Sequence, residues 1–326
     1  MEFFSEYGMF LAKATTLVVA LLVVVGGIVA LVGHGRGEAE SRGRLDIRHL
    51  NGDYEQMALA LKSAILPKKA LKQFQKERKA QEKQREKSER RRIFVLNFHG
   101  DIRAAAVTSL REEVTAVLTA AQAEDEVIVR LESAGGLVHG YGLAAAQLLR
   151  IRDRQIKLTV AVDKVAASGG YMMACVADRI IAAPFAILGS IGVIAQLPNF
   201  HRLLKKHEVD FEQFMAGEHK RTVTLFGENT DKGRQKFQEE IEEVHALFKD
   251  FVKTHRPQVD LDRVATGEHW FGAQALESRL VDELRTSDDV LLDASASADL
   301  YEVIYTGRKP WLARLLTHTG EALRRG

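Results

Sequence analysis

One cysteine, Cys175, is all the thiol chemistry this chain contains. It excludes an intramolecular disulfide, and alone it cannot build a zinc site. Its apolar neighbours, Met172 to Val176, mark it as a small core residue. Net charge is equally scarce: the formal value is +2, so the whole-chain balance gives no argument for nucleic-acid binding. No internal repeat is visible. With 326 residues, 46% of them apolar and 28% charged, the chain can bury one large domain or two modest ones.

Charge is missing altogether between Ala14 and Val32, a run of apolar and small residues preceded by Lys13. About 20 such residues make a helix that crosses a ~30 Å hydrocarbon core. A cleaved signal peptide has an apolar stretch of only ~7–15 residues and a small-x-small cleavage site. Neither feature fits here, so the run is expected to stay as a single transmembrane anchor in the lipid bilayer. Arg36, Arg42, Arg44 and Arg48 follow it, which favours the cytoplasm for the large domain.

From Lys68 to Arg92 it is apolar residues that are lacking. Such a stretch cannot bury a core. Glu82/Glu86 and Glu86/Arg90 lie at i,i+4 spacing, so a solvated helix or disordered spacer is expected. An anionic-lipid contact or an RNA patch are the functional alternatives, with no aromatic residue beyond Phe74 to interleave with bases. A domain boundary falls between Arg92 and Ile93.

Beyond it, short apolar runs alternate with amphipathic helices. Strands are expected at Ile93–Phe98, Glu126–Leu131, Lys157–Val162, Arg179–Ala183, Ile191–Ala195 and Phe211–Met215. Helices are expected at Val107–Ala121, Gly142–Ile151 and Gly169–Ala177, and a long one from Asn229 or Thr230 to about Thr254. Strands separated by helices of this length imply an α/β fold with a mostly parallel, two-sided sheet. Chemistry in such sheets sits beyond the carboxyl ends of the strands.

Three loops there carry reactive or permissive residues. Glu132-Ser133-Ala134-Gly135-Gly136 brings two glycines whose bare backbone can approach a ligand. Ala166-Ala167-Ser168-Gly169-Gly170 places a hydroxyl where a helix opens. That is ordinarily just an N-cap, yet it also exposes a nucleophile beside the N–H of Gly169. Gly217-Glu218-His219-Lys220 brings a lysine. A lysine acts as a general base only where desolvation draws its pKa toward neutrality from about 10.4.

Taken together, SAGG, ASGGYMMA, GSIGV at Gly189–Val193 and GEHK at Gly217–Lys220 resemble the signal peptide peptidase A family of Ser–Lys peptidases (S49-type). The resemblance covers about Ile93 to Leu284 and implies a ClpP/crotonase-type fold. It further implies Ser168 as nucleophile, Lys220 as base, Gly136 and Gly169 as oxyanion-hole donors, and Ser190 as the hydroxyl orienting the lysine. Peptide substrates such as residual signal peptides or membrane-protein fragments are implied, as is a homo-oligomeric ring at the bacterial inner membrane. Family members of this anchor type carry the peptidase domain outside the cytoplasm, opposite to the arginine count. Neither cofactor nor metal is expected. Two departures stand out: Ala134 replaces the usual proline, and Ser278-Arg279 replaces the usual Leu-Gly pair.

The expected organisation is therefore an anchor segment over 1–33 (span about 14–32), a charged extension over 34–92, a peptidase domain over 93–290 and a tail over 291–326. Among the 11 histidines, His201 reads as a surface residue and His219 is the rival to Lys220. Neighbours in an extended segment face opposite sides, so only one of the two can face Ser168. Two other classes compete: a crotonase-type acyl-CoA enzyme and a non-catalytic oligomeric membrane scaffold. Arg308–Arg325, with Trp311 and Leu315 among basic residues, reads equally as a membrane-touching segment or an exposed helix.

Overall fold

The computed structural model describes residues 8–11, 13, 15–21, 43–85 and 90–307. They belong to two units, Met1–Arg44 with Thr306–Gly326, and Leu45–Tyr305. In the first unit residues 8–11 and 15–21 are helical, with the Thr15 hydroxyl donating to Leu11 O at 2.8 Å. Among the described residues no helix is long and apolar enough to cross a membrane. Most of the span expected at 14–32, and the tail from 308 onward, lie outside the described residues.

The second unit is built on a ten-stranded sheet. Its main path places β1 (Arg44–His49) beside β10 (Ala298–Thr306), then β2 (Arg91–Gly100), β3 (Glu126–Ser133), β4 (Lys157–Val162), β6 (Arg179–Ala182) and β9 (Glu283–Leu284). From β10 to β9 every pair on this path is parallel. The sheet branches at the end of β3. Ser133 pairs with Ala166 of β5 (Val165–Ala167), β5 pairs in parallel with β7 (Ile187–Gly189), and β7 pairs antiparallel with β8 (His269–Phe271). This branch positions the site.

Strand alternation divides the core in two. Phe94, Leu96 and Phe98 of β2, with Val127, Val129 and Leu131 of β3, face α3 (Val107–Ala120), α4 (Val138–Arg152) and α5 (Gly169–Ala174). Intervening residues Ile93, Val95 and Ile128 face Leu50 of α1 (Leu50–Ile65) and Val290 and Leu291 of α10 (Ser287–Ser295). Each fully buried aliphatic side chain contributes roughly 1.5–3 kcal/mol. Cys175 is fully buried, as the apolar stretch around it requires. The long helix appears as α7 (Asp231–His255), capped by the Thr230 hydroxyl, which accepts from Gly233 N. The short helices α6 (His201–Lys206), α8 (Leu261–Val264) and α9 (Gly272–Glu277) complete the described set with α2 (Lys68–Arg85), which makes the first part of the charged stretch helical, while the last residues of that stretch enter β2.

Several elements differ from the sequence expectation. Ile191–Ala195 and Phe211–Met215 are not strands. The strand before them ends at Gly189, where φ of +84° at Gly189 and +49° at Ser190 turn the chain out of the sheet. The apolar residues downstream therefore find no partner strand. In the other direction the sheet reaches past 93–290: β1 and β10 lie in the extension and the tail. Asn51 fastens that corner, its side chain bonding Ser295 O, Ala298 O and Leu300 N at 2.7–3.0 Å. Arg279 occupies φ of +59°, a left-handed position, where the resembling family usually has glycine.

Candidate active site

The branched sheet explains why three sequence-distant loops meet. Ser133 is in register with Ala166, and Ala167 with Gly189. The turns that follow β3, β5 and β7 therefore leave neighbouring strands side by side. They are SAGG, ASGG and GSIG.

Ser168 sits at the N-cap of α5 with φ 53° and ψ −119°. A non-glycine residue pays roughly 1–3 kcal/mol for such a backbone and keeps it only when its surroundings impose it. Here they do: Ser168 N donates to Gly189 O at 2.8 Å, and Ser168 O accepts from Met172 N at 3.0 Å. The strained turn leaves the side chain half-exposed at a helix start. Gly169 is the first residue of α5, so its N–H has no intrahelical acceptor.

The glycines are dictated by close packing. A Cβ on Gly135, whose φ is +90°, would lie 2.7 Å from Gly169 N, covering the very N–H that could meet an oxyanion. On Gly136 it would lie 2.1 Å from Ile102 O, and on Gly169 2.4 Å from the Tyr141 ring. Tyr141, fully buried, ties the loops together. Its hydroxyl donates to Asp101 O at 2.7 Å, which leaves the Ser133 hydroxyl to donate to the Tyr141 oxygen at 2.5 Å. Ser133 Oγ in turn accepts from Gly135 N at 3.0 Å. Burial pushes the Tyr141 phenol up, against the lowering effect of the Ser133 bond, so it remains a donor. Sequence reasoning missed Tyr141, because its role exists only once three loops meet around it.

A cavity of about 810 Å³ opens over these turns. Ser168, Gly136, Gly169 and Ser190 all line it, so four of the five expected site residues come together. Its lining is largely apolar, with the buried Met172 and Phe248, Val244, and the exposed Leu137 and Val138 among the residues that form it. Ser190 is held by its N–H donating to Glu268 O at 2.7 Å, with its hydroxyl 3.5 Å from Gly267 O. The one titratable side chain among the lining residues is His245, whose Nε2 lies 3.2 Å from Ile191 O.

Lys220, the fifth, is not among them. It lies in an exposed, irregular arm that leaves the sheet after Ser190 and returns at α7. Within the arm, Phe226 packs against Phe200 and Phe211, and Asn199 Nδ2 donates to Thr224 O and Gly227 O. Glu218 pairs with Lys232 at 2.7 Å, tying the GEHK loop to the start of α7. His219 is exposed beside Glu218, also away from the Ser168 cavity, and His201 opens α6 on the arm.

Two family models cover the chain almost end to end: the peptidase family S49 N-terminal model over residues 2–148 and the peptidase family S49 model over residues 150–301. A relative from Haemophilus influenzae, named "Probable protease SohB", is 49% identical over 322 residues, spanning 94% of this chain and 90% of that protein. Another of the same name, from Buchnera aphidicola subsp. Schlechtendalia chinensis, is 45% identical over 90% of this chain and 99% of its own. Among solved structures, a 1510-N membrane-bound stomatin-specific protease matches at 13% identity with a TM-score of 0.43, covering 63% of this chain and 85% of that one. A likeness this extensive in sequence leaves no other assignment: the chain belongs to peptidase family S49 and is a serine peptidase.

Proposed function

We propose that Ser168 is the nucleophile and that Lys220, supplied by a neighbouring copy of the chain, is its general base. The observation that carries this reading is the strained Ser168 turn in one cavity with Gly136, Gly169 and Ser190. The arm supports the second half. It exposes Phe214 at 90% and Ile194 at 80%, and isolated chains gain nothing from holding such side chains in water. A neighbouring copy that covers the arm would bury these residues and exclude water around the lysine, the dry setting a lysine base needs. Ring-like assembly of a ClpP/crotonase-type fold would repeat the arrangement around an axis.

In the reaction, neutral Lys220 removes the Ser168 proton as Oγ attacks a peptide carbonyl. The N–H groups of Gly136 and Gly169 receive the oxyanion. The protonated amine then gives its proton to the departing peptide nitrogen, and water releases the acyl group by the same steps in reverse roles. Ser190 orients the amine by a hydrogen bond. The apolar cavity walls favour apolar substrate side chains, which fits residual signal peptides or membrane-protein fragments. An N-terminal span over 14–32 would hold the enzyme in a bacterial inner membrane.

His245 supports a second reading, because it lines the Ser168 cavity in the single chain. There it would take the proton and Lys220 would be dispensable. Purified Ser168→Ala and Lys220→Ala variants are expected to lose peptide cleavage altogether, with His245→Ala and His219→Ala active. A Lys220→Ala protein that still cleaves, beside an inactive His245→Ala, would replace the lysine with the histidine.

A further inference from the structure

Outside the catalytic half, α1 and α2 form a helical pair whose two exposed sides are chemically opposite. On α1, Leu50 is buried and Tyr54 packs against the core, after which the apolar stripe leaves the domain. Met57, Ala60, Leu61, Ala64 and Ile65 follow at i, i+3, i+4, i+7, i+8, the spacing of one helical face. All are exposed, with Met57 at 60%, Leu61 at 65% and Ile65 at 75%. Pro67 then turns the chain into α2, whose half-buried Leu71 and Phe74 lie on the inner side, with Lys62 Nζ 3.7 Å above the Phe74 ring. The exposed positions of α2 include Lys68, Lys69, Lys72, Lys76 and Lys79; over residues 68–80, where the side chains are described, Glu77 is the one acid, and Gln73 engages it.

We infer that this helical pair is a foot that rests on an anionic phospholipid surface. The α1 stripe enters the acyl boundary and the α2 lysines meet lipid phosphates. An apolar helix face adjoining a lysine-rich one is what an interfacial segment requires. A second copy of the chain is the competing occupant of the stripe, and the charge decides against it. Two α2 helices brought together would oppose lysine to lysine, whereas an anionic surface neutralises them. Sequence order favours the same occupant: the uncharged run 14–32 ends shortly before β1, from which α1 follows directly.

The test uses the full chain with Leu61→Cys carrying an environment-sensitive fluorophore; native Cys175, fully buried, does not compete for the label. The chain is reconstituted into vesicles of phosphatidylcholine alone or mixed equally with phosphatidylglycerol, each with and without brominated acyl chains. Flotation reports whether the chain is on the vesicles at all, separately from the anchor reading. The foot predicts blue-shifted emission quenched by brominated lipid, about tenfold more in the phosphatidylglycerol mixture, where each lysine near the surface adds attraction. Replacing Lys68, Lys69, Lys72, Lys76 and Lys79 with Gln, or raising the salt, removes that difference. A label at Gln238, exposed on α7, stays unquenched. Floated protein whose position 61 is never quenched overturns the foot. So does quenching that is indifferent to headgroup charge, or an Ile65→Cys chain that forms an interchain disulfide, which assigns the stripe to a second copy.

Discussion

The two sides of the cavity are held in place in different ways. Ser168, Gly136 and Gly169 sit on turns that follow packed strands; a side chain is forbidden at Gly136 by the Ile102 backbone and at Gly169 by the Tyr141 ring, and Tyr141 is bonded to the loops around them. Lys220 sits on an arm whose residues 211–220 are all exposed and which holds itself together with one aromatic cluster and a few amide bonds. The proposed nucleophile is thus positioned by the chain's own core. The proposed base has no such frame in the single chain; under the proposal, a neighbouring copy that covers the arm supplies it.

Breaking the packed side gives the largest expected effect. Gly136→Ala forces a methyl into Ile102 O, displacing the proposed oxyanion donor. Loss of one such donor costs about 100-fold or more in kcat. Gly142→Ala, where nothing lies within 4 Å, is the matched control and should cleave normally. A Gly136→Ala enzyme of full activity would remove that N–H from the account.

Glu113 offers a pH test of the packed side alone. Buried on α3, it accepts from Tyr305 N at 2.8 Å, and burial pushes its carboxyl from near 4.5 up to about 7. The folded state therefore holds a proton that the unfolded chain releases. Stability from this group is fully present below about pH 4.5 and falls as pH rises toward 7. Glu113→Gln keeps an acceptor for Tyr305 and removes the loss. Denaturant unfolding should show the variant gaining up to about 3 kcal/mol at pH 8 and little at pH 4. Equal pH slopes for both proteins would contradict the burial argument.

The smallest effect on stability belongs to the arm. Phe214→Ser replaces a side chain that is 90% exposed, so unfolding of the single chain should move by less than about 0.5 kcal/mol. Activity and sedimentation should fall together, more so on dilution. Full activity in a smaller species would mean that the arm needs no neighbour.

How much of this was legible depended on local pattern. β3 and β4 were readable because their central residues, Val127–Val129 and Leu158–Val162, are buried and read as short, mostly apolar runs, whereas the three-residue β5 that leads into ASGG was too short to stand out. The arm was not: Phe211 to Met215 has a strand's apolar content, but no partner edge is within reach once Ser190 turns the chain away. β1 escaped notice for the opposite reason, being polar and largely exposed, so its sheet membership rests on pairing with β10. The expectation that Ser168 and Ser190 belong to one site came from motif, whereas their positive φ angles and the Tyr141 hub emerge only from long-range register. Likewise Arg279 looked like a simple departure from a glycine, and its left-handed backbone shows which feature of that glycine survives the exchange.

The proposal that Ser168 and Lys220 meet between copies is open to complementation between two inactive chains. Ser168→Ala and Lys220→Ala chains are each inactive alone. Co-assembled in equal amounts, each site that pairs an intact serine from one copy with an intact lysine from the next is whole, so about a quarter of wild-type activity returns by random mixing. Mixed assemblies, verified by differential tags, that stay as inactive as either parent would contradict the claim and place the base on the same chain as the nucleophile.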